Sequence, residues 1–329
     1  MLWFYVKIAP FGLRMYHGYF ISHNRAKDAS LDLAYGPLPR NRVDVYTQPT
    51  TKQDLNAIPD VAQECAVLAP MVVFIHGGAW SSGGKHQYGT LARALQARGL
   101  AVAVANYTLH PAGQVQQMVR DLALLFKFIE RNAHSFGADL RRVYVVGHSA
   151  GAHLLALYMA RLALLKQHGE EIGLGEHYRS FLDDTHLLSD ITIQAFVGIG
   201  GPYHIADHYV HESSRGVENL SAMKPAMGGI PNFDHHSPTA LLNEAELQPG
   251  ALPPTYLLHG TVDGTVPSSS SVKFAEALKK GGHDVELHLV EGVGHSDFIL
   301  HLMNDRSTQH QEMMDHLVSL LLRPTGDQS

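Results

Sequence analysis

The stretch Val-Tyr-Val-Val-Gly-His-Ser-Ala-Gly at residues 143–151 decides the fold of this chain. Its first four residues are an apolar run typical of a buried strand, and residues 152–165 favour a helix. A Gly-x-Ser-x-Gly motif between a strand and a helix is typical of a nucleophile elbow, in which Ser149 stands on a sharp, strained turn. The flanking glycines let strand and helix approach closely. A plain glycine turn is the simpler alternative, but the strand and helix on either side favour the elbow.

A serine hydroxyl is a weak nucleophile at neutral pH, so it requires a base, a residue that orients the base, and donors for an oxyanion. Residues 71–75 predict a short apolar strand, and residues 76–80 read His-Gly-Gly-Ala-Trp. A His-Gly-Gly loop after the third strand contributes oxyanion donors in many esterases. We therefore expect the backbone N–H groups of Gly77, Gly78 and Ala150 to form an oxyanion hole.

Two further motifs supply an acid and a base. Residues 255–258 predict a strand, and Asp263 lies in the turn after it, at the end where open α/β sheets place their chemistry. His295 follows the next predicted strand, and we expect it to be the base that Asp263 orients. The order serine, aspartate, histidine is that of α/β-hydrolases. Asp297 is the competing acid, but a residue two positions after the base cannot easily reach back to the imidazole Nδ1.

Predicted strands and helices alternate along the chain. Residues 100–105 favour a buried strand, and apolar residues then recur at helical spacing from Val115 to Ile129. Asp121, on the other side of that helix, is expected to make a structural hydrogen bond or salt bridge. The alternation predicts an α/β-hydrolase fold: a mostly parallel central sheet with helices on both faces and a small cap built from insertions.

The same pattern divides the chain into three parts. Residues 1–34 are interpreted as an amphipathic N-terminal segment, residues 35–323 as the α/β-hydrolase catalytic domain, and residues 324–329 as a C-terminal tail. Cap material is expected near residues 166–189 and 203–238, where the alternation is interrupted. Loops inserted at the carboxyl end of a sheet are where such folds build substrate specificity.

The composition excludes several classes of function. A chain of 329 residues that is 45% hydrophobic can bury a large sheet within one unit. The formal charge of −6 and the absence of a basic stripe argue against nucleic acid as a partner. Cys65 is the single cysteine, so the sequence predicts no internal disulfide and favours a reducing, cytoplasmic environment.

The amino terminus is rich in Leu, Trp, Phe and Tyr over residues 1–21, but Lys7, Pro10, Arg14 and His17 interrupt it. It never reaches the roughly 18 uninterrupted apolar residues of a spanning helix. A signal peptide would need a continuous apolar core and a small-residue cleavage site. The stretch therefore predicts either peripheral contact with the cytosolic face of an internal membrane or a cover for the fold's own apolar surface.

Residues beside these motifs are expected to line the substrate pocket: Trp80, His148, Gly201 and Tyr203. Three cap histidines fall at helical spacing and resemble a metal site: His204, His208 and His211. We interpret them as residues of a cap surface, because no carboxylate stands at a compelling spacing and a serine triad needs no metal. The sequence predicts no cofactor and no metal.

Five segments carry a resemblance to a known family, at residues 35–46, 74–80, 147–153, 196–203 and 257–267. The first reads Tyr-Gly-Pro-Leu-Pro-Arg-Asn-Arg-Val-Asp-Val-Tyr, and the last reads Leu-Leu-His-Gly-Thr-Val-Asp-Gly-Thr-Val-Pro. With them, the chain resembles the isoprenylcysteine methylesterase branch of the α/β-hydrolase superfamily, which is related to the hormone-sensitive-lipase-like carboxylesterases. The resemblance implies hydrolysis of the methyl ester on a prenylated C-terminal cysteine, together with membrane association.

The sequence departs from that branch in two places, and alternatives stay open. The plant enzymes carry longer hydrophobic segments before the catalytic domain, and the cap at 203–237 matches loosely. The expected substrate is a small-molecule or prenylated-peptide ester, attacked by Ser149. Kynurenine formamidases share the His-Gly-Gly loop and the triad, so an N-formyl amidase is the nearest alternative. A non-catalytic ligand-binding member of the fold, or an acyltransferase, are the others.

Overall fold

The computed structural model describes residues 28–48, 68–168, 189–244 and 247–323. Four features that the sequence singles out lie wholly or mostly outside these residues: the stretch 1–21, Cys65, the first predicted cap insertion and the C-terminal tail.

Eight strands form one sheet within the described residues. In chain order they are β1 (Ala29–Ala34), β2 (Arg42–Tyr46), β3 (Ala69–Ile75), β4 (Ala101–Ala105), β5 (Ala138–His148), β6 (Ile193–Ile199), β7 (Thr255–Gly260) and β8 (Val285–Val290). Their order across the sheet is β1-β2-β4-β3-β5-β6-β7-β8. β2 is antiparallel to both of its neighbours, and the remaining pairs are parallel. The predicted mostly parallel sheet is confirmed.

The helices connect the strands and cover the sheet. They are α1 (Gly89–Gln96), α2 (Val115–Asn132), α3 (Ala150–His168), α4 (Ile205–Ser214), α5 (Met223–Ala226), α6 (Pro238–Glu244), α7 (Ser269–Lys280), α8 (Asp297–Met303) and α9 (His310–Leu321). Short 3-10 turns occur at Lys85–Tyr88, Ala133–Phe136, Ile230–Asn232 and Asp234–His236. α4 to α6 lie in or next to the second region that the sequence predicts as cap material.

Each face of the sheet has its own hydrophobic core, because successive side chains of a strand point to opposite faces. In β3, Met71 and Val73 pack with α2, α3 and α7, whereas Val72 and Phe74 pack with α1, α8 and α9. Each such side chain stabilises the fold by about 1.5–3 kcal/mol when fully buried. A sheet buried on both faces has continuously apolar strands, which is why the central strands stand out in the sequence.

The sheet begins earlier than the sequence predicts. β1 falls inside the segment interpreted as N-terminal, and it pairs antiparallel with β2. Its side chains are half-buried or exposed, so its apolar signal is weak. Asp44 anchors it from β2, since the Asp44 carboxylate accepts the Asp32 N–H at 2.7 Å and the ammonium of Lys85 at 2.6 Å.

The register of the parallel strands aligns their carboxyl ends. Ile75 pairs with Gly147, and Ile199 pairs with both His148 and Leu258. The loops that follow β3, β5, β6 and β7 therefore leave the sheet at the same edge, which is where ligands bind in open α/β sheets.

The described helices were also compared with the requirements of a lipid bilayer. None of them combines the length and the apolar composition needed to cross a membrane.

Candidate active site

Ser149 stands at the turn between β5 and α3 with a left-handed backbone conformation, φ 52°. Such a conformation costs a non-glycine residue about 1–3 kcal/mol, and the surrounding contacts hold it in place. The Ser149 N–H donates to the Ile199 carbonyl at 2.8 Å. A Cβ atom on Gly147 would lie 2.6 Å from the Ala152 backbone, and one on Gly151 would lie 2.2 Å from the Ile75 carbonyl oxygen. The turn therefore requires both glycines of the motif.

Three side chains that lie far apart in the sequence contact one another at this edge of the sheet. His295 Nε2 is 2.9 Å from Ser149 Oγ, and His295 Nδ1 is 2.7 Å from Asp263 Oδ2. Because a carboxylate has no proton to give, the Nδ1–H of His295 donates to Asp263 and leaves Nε2 to accept the serine proton. The structure thus brings the predicted serine, acid and base together in the order that acyl transfer requires.

Asp263 is held in an ionised state by the groups around it. Its Oδ1 accepts the backbone N–H groups of Thr265 at 2.8 Å and Val266 at 2.9 Å. Burial alone would raise the pKa of Asp263, but hydrogen bonds from His259 and His295 outweigh burial and hold the pKa well below its usual range. The carboxylate can therefore stabilise an imidazolium that forms beside it.

The competing carboxylates have other partners. Asp297 Oδ2 accepts the Gly294 N–H at 3.0 Å, at the start of α8. Asp121 accepts the Thr108 N–H at 2.7 Å and the Gln117 side-chain amide at 2.9 Å, so the predicted structural hydrogen bond is confirmed.

The predicted oxyanion loop lies directly beside the serine. A Cβ atom on Gly77 would be 2.9 Å from Ser149 Cβ, and Gly78 has a left-handed φ of 124°. Ala150 is the first residue of α3, so its N–H has no acceptor within the helix. The His76 Nδ1–H donates to the Gly77 carbonyl at 2.7 Å, and burial lowers the pKa of His76 to about 3, which keeps the ring neutral. Their role as oxyanion donors stays a prediction.

His148 supports the backbone of His295. Its Nε2–H donates to the His295 carbonyl at 3.1 Å, and the two ring centroids are 5.1 Å apart. Burial lowers the pKa of His148 to about 3, so the ring is neutral. This contact shows a supporting role, and contact of His148 with substrate stays a prediction.

The other residues predicted to line the pocket are packed against protein groups. Trp80 and Tyr203 are buried, and the Tyr203 ring stacks on Phe274 with centroids 4.3 Å apart. A Cβ atom on Gly201 would lie 2.4 Å from Tyr203 Cζ, so the glycine leaves room for this ring. Substrate contact by these residues stays a prediction.

His153, which the sequence reasoning missed, joins three parts of the site. It lies one helical turn after Ser149, and its Nδ1 accepts the indole N–H of Trp80 at 3.2 Å. Its Nε2–H donates to the His236 carbonyl at 2.7 Å. Burial lowers the pKa of His153 to about 4, so the neutral ring has one acceptor and one donor, and both are used. The i, i+4 spacing from the serine was the signal in the sequence.

Replacing His153 with phenylalanine is expected to lower the free energy of unfolding by about 2–4 kcal/mol, because it leaves two buried groups, an indole N–H and a carbonyl, without partners. Thermal or urea unfolding measures this loss. The same substitution at the exposed His134 is the matched control and should change stability by less than about 0.5 kcal/mol. Equal stability of the two variants would contradict the role assigned to His153.

The three cap histidines contact different partners. His204 Nδ1 accepts the Asp207 N–H at 3.2 Å and caps α4, whereas His211 Nε2 donates to the Gly264 carbonyl at 3.2 Å. His208 Nε2 is 3.5 Å from the carboxylate of Glu212 on the same helix. Within the ranges that the structure describes, no group of three or more His, Cys, Asp or Glu residues could hold a metal ion.

The strand order, the strained elbow at the carboxyl edge and the Ser149, His295 and Asp263 contacts together define an α/β-hydrolase. A family model described as BD-FAE matches residues 59–278. The chain belongs to this family, and it is a carboxylic ester hydrolase.

Individual relatives agree with this assignment. The chain is 30% identical over 322 residues to a probable isoprenylcysteine alpha-carbonyl methylesterase of Arabidopsis thaliana, with 97% of this chain and 68% of the relative covered. A probable methylesterase of the same description from Oryza sativa subsp. japonica is 30% identical over 324 residues, with 98% and 68% covered. Among solved structures, esterase B of Lactobacillus rhamnosis is similar with a TM-score of 0.69 at 16% identity, covering 96% of this chain and 93% of that chain. At that identity the likeness shows the fold.

Proposed function

We propose that the protein is a serine carboxylesterase in which Ser149 is the nucleophile, His295 the general base and Asp263 the residue that orients the base. One observation carries the proposal: a continuous hydrogen-bonded path from Ser149 Oγ through the imidazole to the carboxylate, with distances of 2.9 and 2.7 Å. Contacts of this length are within reach of proton transfer.

In the proposed reaction, His295 takes the proton of Ser149 as Oγ attacks the ester carbonyl carbon. The backbone N–H groups of Gly77, Gly78 and Ala150 hold the oxyanion, and loss of one such donor typically costs about 3 kcal/mol of transition-state stabilisation. The imidazolium then protonates the leaving alcohol as the carbon–oxygen bond breaks. Water, activated by the same imidazole, releases the acid from the acyl-enzyme.

The proposed substrate is the methyl ester of a prenylated cysteine, which leaves as methanol and a free carboxylate. The printed names of the plant relatives support this choice, and so does their coverage of two thirds of their length. Large apolar side chains are exposed on the cap segment and beside the acid, as an apolar substrate would favour: Val210, Leu220, Ile230 and Val262. We also propose peripheral contact of residues 1–21 with the cytosolic face of an internal membrane, which co-sedimentation of the full chain with lipid vesicles tests.

A comparison of three substrate classes with one protein preparation tests this function. We expect the highest kcat/KM with farnesylcysteine methyl ester, lower values with short-chain p-nitrophenyl esters, and little turnover of N-formylkynurenine. Preference for N-formylkynurenine would replace the esterase proposal with an amidase. A fluorophosphonate probe should label the native chain and not Ser149→Ala, whereas a ligand-binding protein without catalysis would not be labelled at that serine.

A further inference from the structure

We infer that His259 is a second histidine acting on Asp263, a positioning residue that holds the proposed triad acid from the side opposite His295. Nothing in the established family membership assigns a role to His259, and the inference rests on the proposed function of Asp263. His259 lies in β7, four residues before Asp263, and its side chain is fully buried.

The contacts of His259 fix where its proton lies. Its Nε2 is 3.2 Å from Asp263 Oδ2 and 2.9 Å from the Val266 carbonyl oxygen. Both atoms are acceptors, so Nε2 must carry a hydrogen to avoid lone pairs facing one another. The same Nε2–H therefore ties the acid to the loop whose backbone N–H groups hold the other carboxylate oxygen.

Ser271 in α7 determines the tautomer from the other side of the ring. Its Oγ is 2.7 Å from His259 Nδ1, and the serine is buried. With the proton on Nε2, Nδ1 accepts the serine O–H. The chain of contacts from Ser271 through His259 to Asp263 is thus complete, with each donor matched to an acceptor.

Asp263 Oδ2 consequently accepts hydrogen bonds from two imidazoles, His295 at 2.7 Å and His259 at 3.2 Å. The donor from His259 makes the carboxylate a weaker base toward the shared proton of the Asp263–His295 pair. The other ionisable groups that face this pair, His148 and His208, are buried neutral rings with pKa values lowered to about 3. Removing the His259 donor therefore makes the pair take up its proton at a higher pH.

The first test is the pH dependence of kcat/KM with a p-nitrophenyl ester in three variants. In His259→Leu, which has no donor, the acid limb is expected to move upward by about one pH unit. In His259→Gln, whose side-chain amide can donate to Asp263, it should stay closer to that of the native enzyme. Ser271→Ala, a small change that removes the hydroxyl and keeps the ring, should move the limb in the same direction as His259→Leu but less.

The second test does not depend on turnover. In a Ser149→Ala background, the low-field proton resonance of the Asp263–His295 hydrogen bond is followed by NMR as the pH is lowered. Adding His259→Leu or Ser271→Ala should raise its midpoint, and His259→Gln should largely restore it. Unmoved midpoints in folded variants would overturn the role of His259. Failure of the proposed function would instead appear as full esterase activity in Ser149→Ala, whatever the midpoints show.

Discussion

Replacing Ser149 with alanine is expected to lower kcat/KM for ester hydrolysis by roughly 10⁴–10⁶-fold. The substitution removes the single atom that attacks the carbonyl carbon, while the oxyanion loop and the binding surface remain. Those remaining groups leave a residual rate above that of the uncatalysed reaction. Steady-state hydrolysis of a p-nitrophenyl ester measures the loss, and mass spectrometry after brief mixing should detect an acyl-enzyme in the native chain alone.

This loss can be separated from a loss of structure. Alanine carries the same Cβ atom as serine, so it meets the same backbone strain at φ 52° and adds no new contact. Thermal unfolding of Ser149→Ala should therefore resemble that of the native chain. Ser135→Ala, on an exposed turn, is the matched control and should keep full activity. Activity that survives Ser149→Ala would show that another group carries the reaction.

The central fold could be predicted because its strands are buried on both faces. The apolar runs in β3, β4 and β5 have no alternative explanation at their length, and glycine-rich loops follow β3 and β5. The order of the site residues was also readable, since each of Ser149, Asp263 and His295 follows a predicted strand. Parallel pairing then forces those strand ends to one edge.

Features that depend on partners distant in sequence were not readable. β1 is an edge strand with a half-exposed surface, so its pattern resembles a linker until Asp44 is seen to hold it. The start of β5 is charged and was missed, because Arg141 and Arg142 are satisfied by ion pairs with Asp139 and not by burial. His259 stands in a quoted motif, but its role appears when the turn after β7 brings Asp263 back against the ring.

Replacing Asp263 with asparagine is expected to lower kcat/KM by about 10⁴-fold near neutral pH. Two backbone N–H groups, from Thr265 and Val266, donate to Oδ1, so the asparagine carbonyl oxygen must occupy that position. The asparagine NH₂ then faces His295 Nδ1. Because an NH₂ group donates, it forces the imidazole proton onto Nε2, where the ring can no longer accept the proton of the serine.

The matched control is Asp297→Asn, the same substitution at the competing carboxylate. Asp297 accepts one backbone N–H at the start of α8, and an asparagine oxygen can accept the same hydrogen bond. Its kcat/KM should stay within about two-fold of the native value, because no charge next to His295 Nδ1 is lost. The reverse result, loss of activity in Asp297→Asn and retention in Asp263→Asn, would transfer the orienting role to Asp297. The 2.7 Å contact between His295 Nδ1 and Asp263 Oδ2 argues for the first outcome, since a tautomer is set by the group that receives its proton.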